Sequence, residues 1–164
     1  MEIRRANSND LTTIINLAKG YESKLMPYIY DREMVESYIN SFFVAEGNGI
    51  LGAIHAVEGT YGDMIFLATI KLVPPQFIIN FQREGGLFIC QLVCPGRGSF
   101  GKIIEYLKTL YTPLWCYCSV VEKSYTSYIR HGFIFGVGRR FWNTYKGDYS
   151  VFSLGKWERT LLGR

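Results

Sequence analysis

The chain has 164 residues, 48% hydrophobic and 20% charged, which fits one globular domain with a substantial core and excludes an extended disordered chain. Its 18 lysines and arginines outnumber its 14 acids to give a net charge of +4, too mild and dispersed to mark a nucleic-acid footprint. No run approaches the ~18 apolar residues of a membrane span and Met1 to Arg5 has no apolar signal core, so no membrane partner and a cytoplasmic location are expected.

Glu2 to Ala6 reads as a short first strand, and Asn7-Ser8-Asn9-Asp10 supplies cap residues for an amphipathic helix carrying Leu11, Ile14, Ile15, Leu17 and Ala18. A second helix is expected from Asp31 to Asn40, with Met34, Val35, Tyr38 and Ile39 on one face. Between the two helices, Tyr21 to Tyr30 contains Pro27 and three tyrosines. Phe42 to Ala45 and Ile50 to Val57 flank Asn48-Gly49, a hairpin signal, so an antiparallel meander follows. From Gly59 to Gly86 two strands, or a helix and a strand, both fit the apolar runs on either side of Pro74-Pro75.

Leu87 to Val93 is an apolar strand-like run that stops at Pro95, and three glycines and two cations follow within seven residues before a helical pattern begins. Ile103, Ile104, Leu107, Leu110 and Tyr111 form one apolar face of that helix, which Pro113 ends. Leu114 to Val120 is then a strand, Lys123 to His131 a short helix closed by Gly132, Phe133 to Phe141 a strand and Tyr149 to Leu154 a last one. Cys90, Cys94, Cys116 and Cys118 lack the Cys-x-x-Cys spacing of structural zinc and are expected as buried free thiols, with no metal.

The strand, glycine-rich turn and helix around Gly96 to Lys102 are the chemically loaded part of the chain. Glycines let the backbone approach a ligand closely, and the first N–H groups of a helix lack intrahelical acceptors and carry the positive end of its dipole. A phosphate-bearing ligand is the natural guest. Gly96 to Lys102 supplies the Gly-x-x-x-x-Gly-Lys of a nucleotide-binding loop, but Ile103 stands where the magnesium-binding hydroxyl belongs. Gly96, Gly98 and Gly101 spell Gly-x-Gly-x-x-Gly, yet the turn does not open a chain of alternating strands and helices, and no acidic residue follows at the required distance.

Taken together with Tyr128-Ile129-Arg130-His131-Gly132-Phe133, the segment Val93-Cys94-Pro95 and the turn to Gly101 resemble the GNAT family of acetyl-coenzyme A-dependent N-acetyltransferases, over nearly the whole chain. Gly96 and Ser99 depart from the residues usual in that family's turn. The resemblance implies an α/β fold over residues 1–164: a mixed, mostly antiparallel sheet, splayed at the coenzyme-binding strand and flanked by helices. It implies acetyl-coenzyme A as co-substrate and direct acetyl transfer to a primary amine on a small molecule or peptide. Gln91, Leu92 and Val93 would meet the pantetheine arm, and Gly96, Arg97, Gly98, Ser99, Phe100, Gly101 and Lys102 the pyrophosphate. Tyr128 would be the general acid for the departing thiolate, and Tyr28 and Tyr30 would shape the acceptor pocket. The general base is open between Glu58, Glu84, His55 and a water relay, because Leu87 occupies the position where some members carry a carboxylate. The alternatives are a catalytically inactive GNAT-fold coenzyme A-binding or protein-interaction module, and a nucleotide-binding protein. A monomer and a homodimer both fit.

Overall fold

Strand runs such as Phe42 to Ala45 and Leu87 to Cys90 are apolar at every position, so they need cover on both faces. The computed structural model, which describes residues 1–19, 32–58, 75–119, 123–143 and 148–160, supplies that cover. Eight strands form one sheet: β1 (Glu2–Arg5), β2 (Phe42–Gly47), β3 (Gly49–Val57), β4 (Leu87–Val93), β5 (Leu114–Ser119), β6 (Ile134–Phe135), β7 (Arg139–Asn143) and β8 (Asp148–Trp157). Five helices accompany them among the described residues: α1 (Leu11–Lys19), α2 (Arg32–Ser37), α3 (Pro75–Glu84), α4 (Ser99–Leu110) and α5 (Lys123–Arg130). The order across the sheet is β1-β2-β3-β4-β5-β8-β6, with β7 also on β8. All pairings are antiparallel except β4 with β5, which α4 joins as a crossover.

Period-two alternation divides the core by face. Phe43, Ala45, Ile54, Ala56, Leu87 and Ile89 pack with Ile103, Ile104 and Leu107 of α4 and Tyr128 of α5. On the opposite face, Phe42, Val44, Ala53 and Val93 pack with α1 and with Val35 of α2. Farther along that face, Phe77 and Phe81 of α3 cover Val57, Phe88, Trp115 and Phe152. Their spacing of four residues on one helical turn decides the ambiguous stretch after Pro74: its described part is a helix. Arg4 ties β1 to β2 and to the start of the first helical segment, with two bonds to Asp10 at 2.8 and 2.9 Å and a pair to Glu46 at 3.1 Å.

The sheet opens where β4 bends. β4 and β5 pair only at Leu87 with Leu114, Phe88 with Trp115 and Ile89 with Cys116. Both strands continue beyond that point, to Val93 and Ser119. On the other edge of β4, Ala56 pairs with Ile89 but His55 pairs with Gln91, so Cys90 is an extra residue in the ladder. A bulge bends its strand and leaves a residue unpaired. Here it falls one residue past Ile89, where the β4–β5 ladder ends, and the facing edges beyond it have no ladder partner. The expected single strand Phe133 to Phe141 is instead β6 and β7. Ile134 pairs with Lys156 while Arg139 pairs with Phe152, one residue out of step, with two glycines (Gly136 and Gly138) between. No described helix is long and apolar enough to cross a membrane. No group of three metal-ligating side chains is found among the described residues, and all four cysteines are free thiols.

Candidate active site

The turn that follows β4 is pinned from within. The Gly96 amide donates to the Leu51 carbonyl at 2.8 Å, and a Cβ on Gly96 would stand 2.6 Å from that of Leu51, so this glycine is a close approach to β3. Ser99 is buried, its hydroxyl donating to the Gly96 carbonyl at 2.6 Å and its amide to the same oxygen at 3.0 Å. The two residues that depart from the family pattern therefore build the turn, and their side-chain positions face inward. Gly98, at φ +80°, is the left-handed residue before α4, a conformation that costs glycine little, and nothing lies within 4 Å of where its Cβ would be.

What remains faces outward as a set of donors. Among the described residues, the amides of Arg97, Gly98, Phe100 and Gly101 have no protein acceptor, and the exposed side chains of Arg97 and Lys102 have no ion-pair partner. Four free amides, the positive end of a 12-residue helix and two unpaired cations suit a pyrophosphate. The residues present thus fit the phosphates of the expected co-substrate. Gln91, Leu92 and Val93 pair with His55, Ile54 and Ala53, on the stretch of β4 that has left β5, so the outer edge of that stretch borders the gap.

Tyr128 reaches the same place from α5, and its position follows from how that helix ends. Gly132, at φ +86°, donates to the Ile129 carbonyl at 3.0 Å, and the Phe133 amide donates to the Tyr128 carbonyl at 3.1 Å. These are the paired bonds of a glycine-terminated helix, and the accompanying apolar contact is Tyr128 against Phe133, with ring centroids 4.9 Å apart. The spacing Tyr-x-x-x-Gly-Phe is thus the spacing of the terminator itself. Phe100, from the first turn of α4, meets the Tyr128 ring edge-on at 5.2 Å. Burial raises the phenol well above its ordinary value near 10, and the thiols of Cys116, Cys118, Cys94 and Cys90 add to the effect. Tyr128 shares one core cluster with Leu87 and Ile89 of β4 and Cys116 and Cys118 of β5, the two strands that flank the gap.

The candidates for a base occupy three separate places. Glu58 accepts from the Tyr111 hydroxyl at 2.7 Å and pairs with Arg5 at 3.5 Å. It follows Val57, which pairs with Phe88, so it sits by the start of β4, roughly 20 Å along the strand from the turn. Glu84 pairs with Lys156 at 3.3 Å. His55 is wholly buried on the face covered by α1, α2 and α3, stacked on Phe42 at 4.6 Å, and burial pushes its pKa down to about 3. Tyr28 and Tyr30 lie outside the described residues. Two participants carried no sequence assignment. His131 lies against Gly101, and Glu105 orients it; the only signal was the place of His131 inside the terminator segment.

No protein-family model and no curated protein matches the sequence. Solved structures do match. A polyamine N-acetyltransferase of Drosophila melanogaster, described as catalysing formation of N-acetylagmatine, superposes with a TM-score of 0.66 at 14% identity, over 96% of this chain and 99% of that one. A GNAT-family acetyltransferase from Bacillus cereus gives 0.63 at 13% identity, over 97% of each chain. A ribosomal-protein-alanine N-acetyltransferase from Brucella melitensis gives 0.64 at 12% identity, over 96% of this chain and 99% of that one. The fold is that of the GNAT acetyltransferases, the family the two sequence motifs resemble.

Proposed function

We propose that this GNAT-fold chain is an acetyl-coenzyme A-dependent N-acetyltransferase that moves the acetyl group to a primary amine by direct attack in a ternary complex. The observation that carries the reading is the convergence on one gap: free turn amides on one side, the unpaired edge of β4 along it, and Tyr128 packed among residues of both flanking strands.

When bound, the co-substrate supplies an acetyl thioester. Arg97, Lys102 and the amides of Arg97, Gly98, Phe100 and Gly101 would hold its phosphates, and the backbone of Gln91 to Val93 its arm. Tyr128 would keep its proton through the neutral range and release it to sulfur as the carbon–sulfur bond breaks and the nitrogen–carbon bond forms. The proton lost by the amine balances the one that the phenol gives up. Burial raises thiols here as well as the phenol, to about 12 for Cys94, so desolvation makes a leaving thiolate a stronger base as it makes the phenol a weaker acid. With Glu84 paired to Lys156 and His55 buried on the far face, amine deprotonation is assigned to solvent, with Glu58, beside the start of β4, as its rival.

The acceptor classes of the structural neighbours frame the test. Release of free coenzyme A thiol is followed with acetyl-coenzyme A and, in turn, agmatine, spermidine and a peptide beginning with alanine. The reading expects turnover with one of these amines, rising with pH as the acceptor ammonium deprotonates. Coenzyme A binding with no turnover on any amine would favour the inactive binding module instead.

A further inference from the structure

The end of α5 is fastened along α4, from its first turn to its last, through His131. Glu105 and the His131 imidazole nitrogen Nδ1 are 3.0 Å apart, and because a carboxylate only accepts, Nδ1 carries the proton. Lys108 donates to the His131 carbonyl at 2.6 Å. The opposite edge of the imidazole lies on Gly101, where a Cβ would stand 3.2 Å from both Cε1 and Nε2. Phe100 meets both the His131 ring, at 5.6 Å, and the Tyr128 ring, at 5.2 Å. Phe100 and Gly101 are also two of the residues whose amides have no protein acceptor.

The geometry points to His131 as a positioning residue that couples occupancy of the glycine-rich turn to the helix carrying Tyr128. This deepens the acetyltransferase reading and rests on it. An anion bound by the Phe100 and Gly101 amides orders the first turn of α4. That turn presses on the imidazole through Gly101 and on both aromatic neighbours through Phe100. Glu105 keeps the ring from rotating away, so the order passes to α5 and fixes the phenol. The missing side chain at position 101 is what lets the imidazole lie this close.

Hydrogen exchange of the full chain with and without coenzyme A tests the coupling. In the wild type, the ligand slows exchange about tenfold both in residues 98–103 and in residues 124–131. In His131→Ala the first segment keeps its protection and the second loses it. A purely structural role would instead change exchange in α5 equally with and without ligand. Glu105→Ala, which removes the carboxylate that holds both Nδ1 and Lys108, is expected to uncouple α5 in the same way, while Glu105→Gln, whose amide oxygen still accepts from Nδ1, retains the coupling. Undiminished ligand protection of residues 124–131 in folded His131→Ala and Glu105→Ala overturns the inference and leaves the functional reading standing. Absence of protection in residues 98–103 of the wild type removes the site reading and this inference with it.

Discussion

Tyr128→Phe is expected to lower kcat by about 10²- to 10⁴-fold, the range of a single general acid, while changing coenzyme affinity little. The substitution removes one oxygen and keeps the ring. The contacts to Phe100 at 5.2 Å and Phe133 at 4.9 Å are ring contacts, and among the described residues no group hydrogen-bonds the phenolic oxygen, so nothing is left without a partner. The folded state should lose well under about 1 kcal/mol. The pH profile carries a second signature. Because burial raises the phenol above its ordinary value near 10, Tyr128 stays protonated across the working range and contributes no falling limb below that value. The acceptor must be neutral to attack, so wild-type kcat/KM rises with pH up to the acceptor pKa, near ~10 for a lysine-like amine. A Tyr128→Phe enzyme with undiminished kcat would remove the phenol from the mechanism.

The second large effect is on stability. His55 is buried as the neutral imidazole, with its pKa lowered from 6.5 to about 3 by desolvation. In the unfolded chain it takes up a proton near its ordinary value, and in the folded chain it does not. Its contribution is therefore complete above pH 6.5 and lost as pH falls toward about 3. The slope is about 1.4 kcal/mol per pH unit. Asp10, lowered first of all by its bonds to Arg4, and Glu105, lowered against the pull of burial by His131 and Lys108, act only below their ordinary values of 3.8 and 4.5. Between pH 6.5 and 4.5 the acid sensitivity is thus assigned to His55. Urea denaturation at pH 7 and pH 5 should show wild-type stability falling by about 2 kcal/mol, and His55→Phe, which keeps a ring against Phe42, losing that dependence. Equal pH dependence in the two proteins would mean that the imidazole is protonated alike in both states.

The parts of this account that were legible in the sequence are those with a local cause. β4 occupies Leu87–Val93 as its apolar run and the following Pro95 require, and α4 starts directly after the glycine-rich turn. The terminator after Tyr128 was marked by Gly132 at its required position. The bulge at Cys90 was not legible, because both faces of β4 are covered and an extra residue disturbs no polar–apolar alternation. The inward role of Gly96 depends on Leu51, some 45 positions away, which no local pattern announces. The bonds of Glu58 to Arg5 and Tyr111 likewise join residues more than 50 positions apart. The contact of His131 with Gly101 joins two motifs that were each read for their own chemistry.

That contact also decides how the central claim is best tested. A side chain at Gly101 would strike the His131 ring, 3.2 Å from where its Cβ begins, as well as any ligand. Arg97 and Lys102 are exposed and carry no partner among the described residues, so reversing their charge perturbs the ligand alone. Calorimetric titration of the wild type with acetyl-coenzyme A, beside Arg97→Glu/Lys102→Glu, is the direct measurement. The account predicts binding in the ~micromolar range by the wild type, weakened about 100-fold or more in the double variant, since each charge-assisted bond to phosphate contributes about 1.5–3 kcal/mol. No binding to the folded wild type, or equal binding to both proteins, would contradict it.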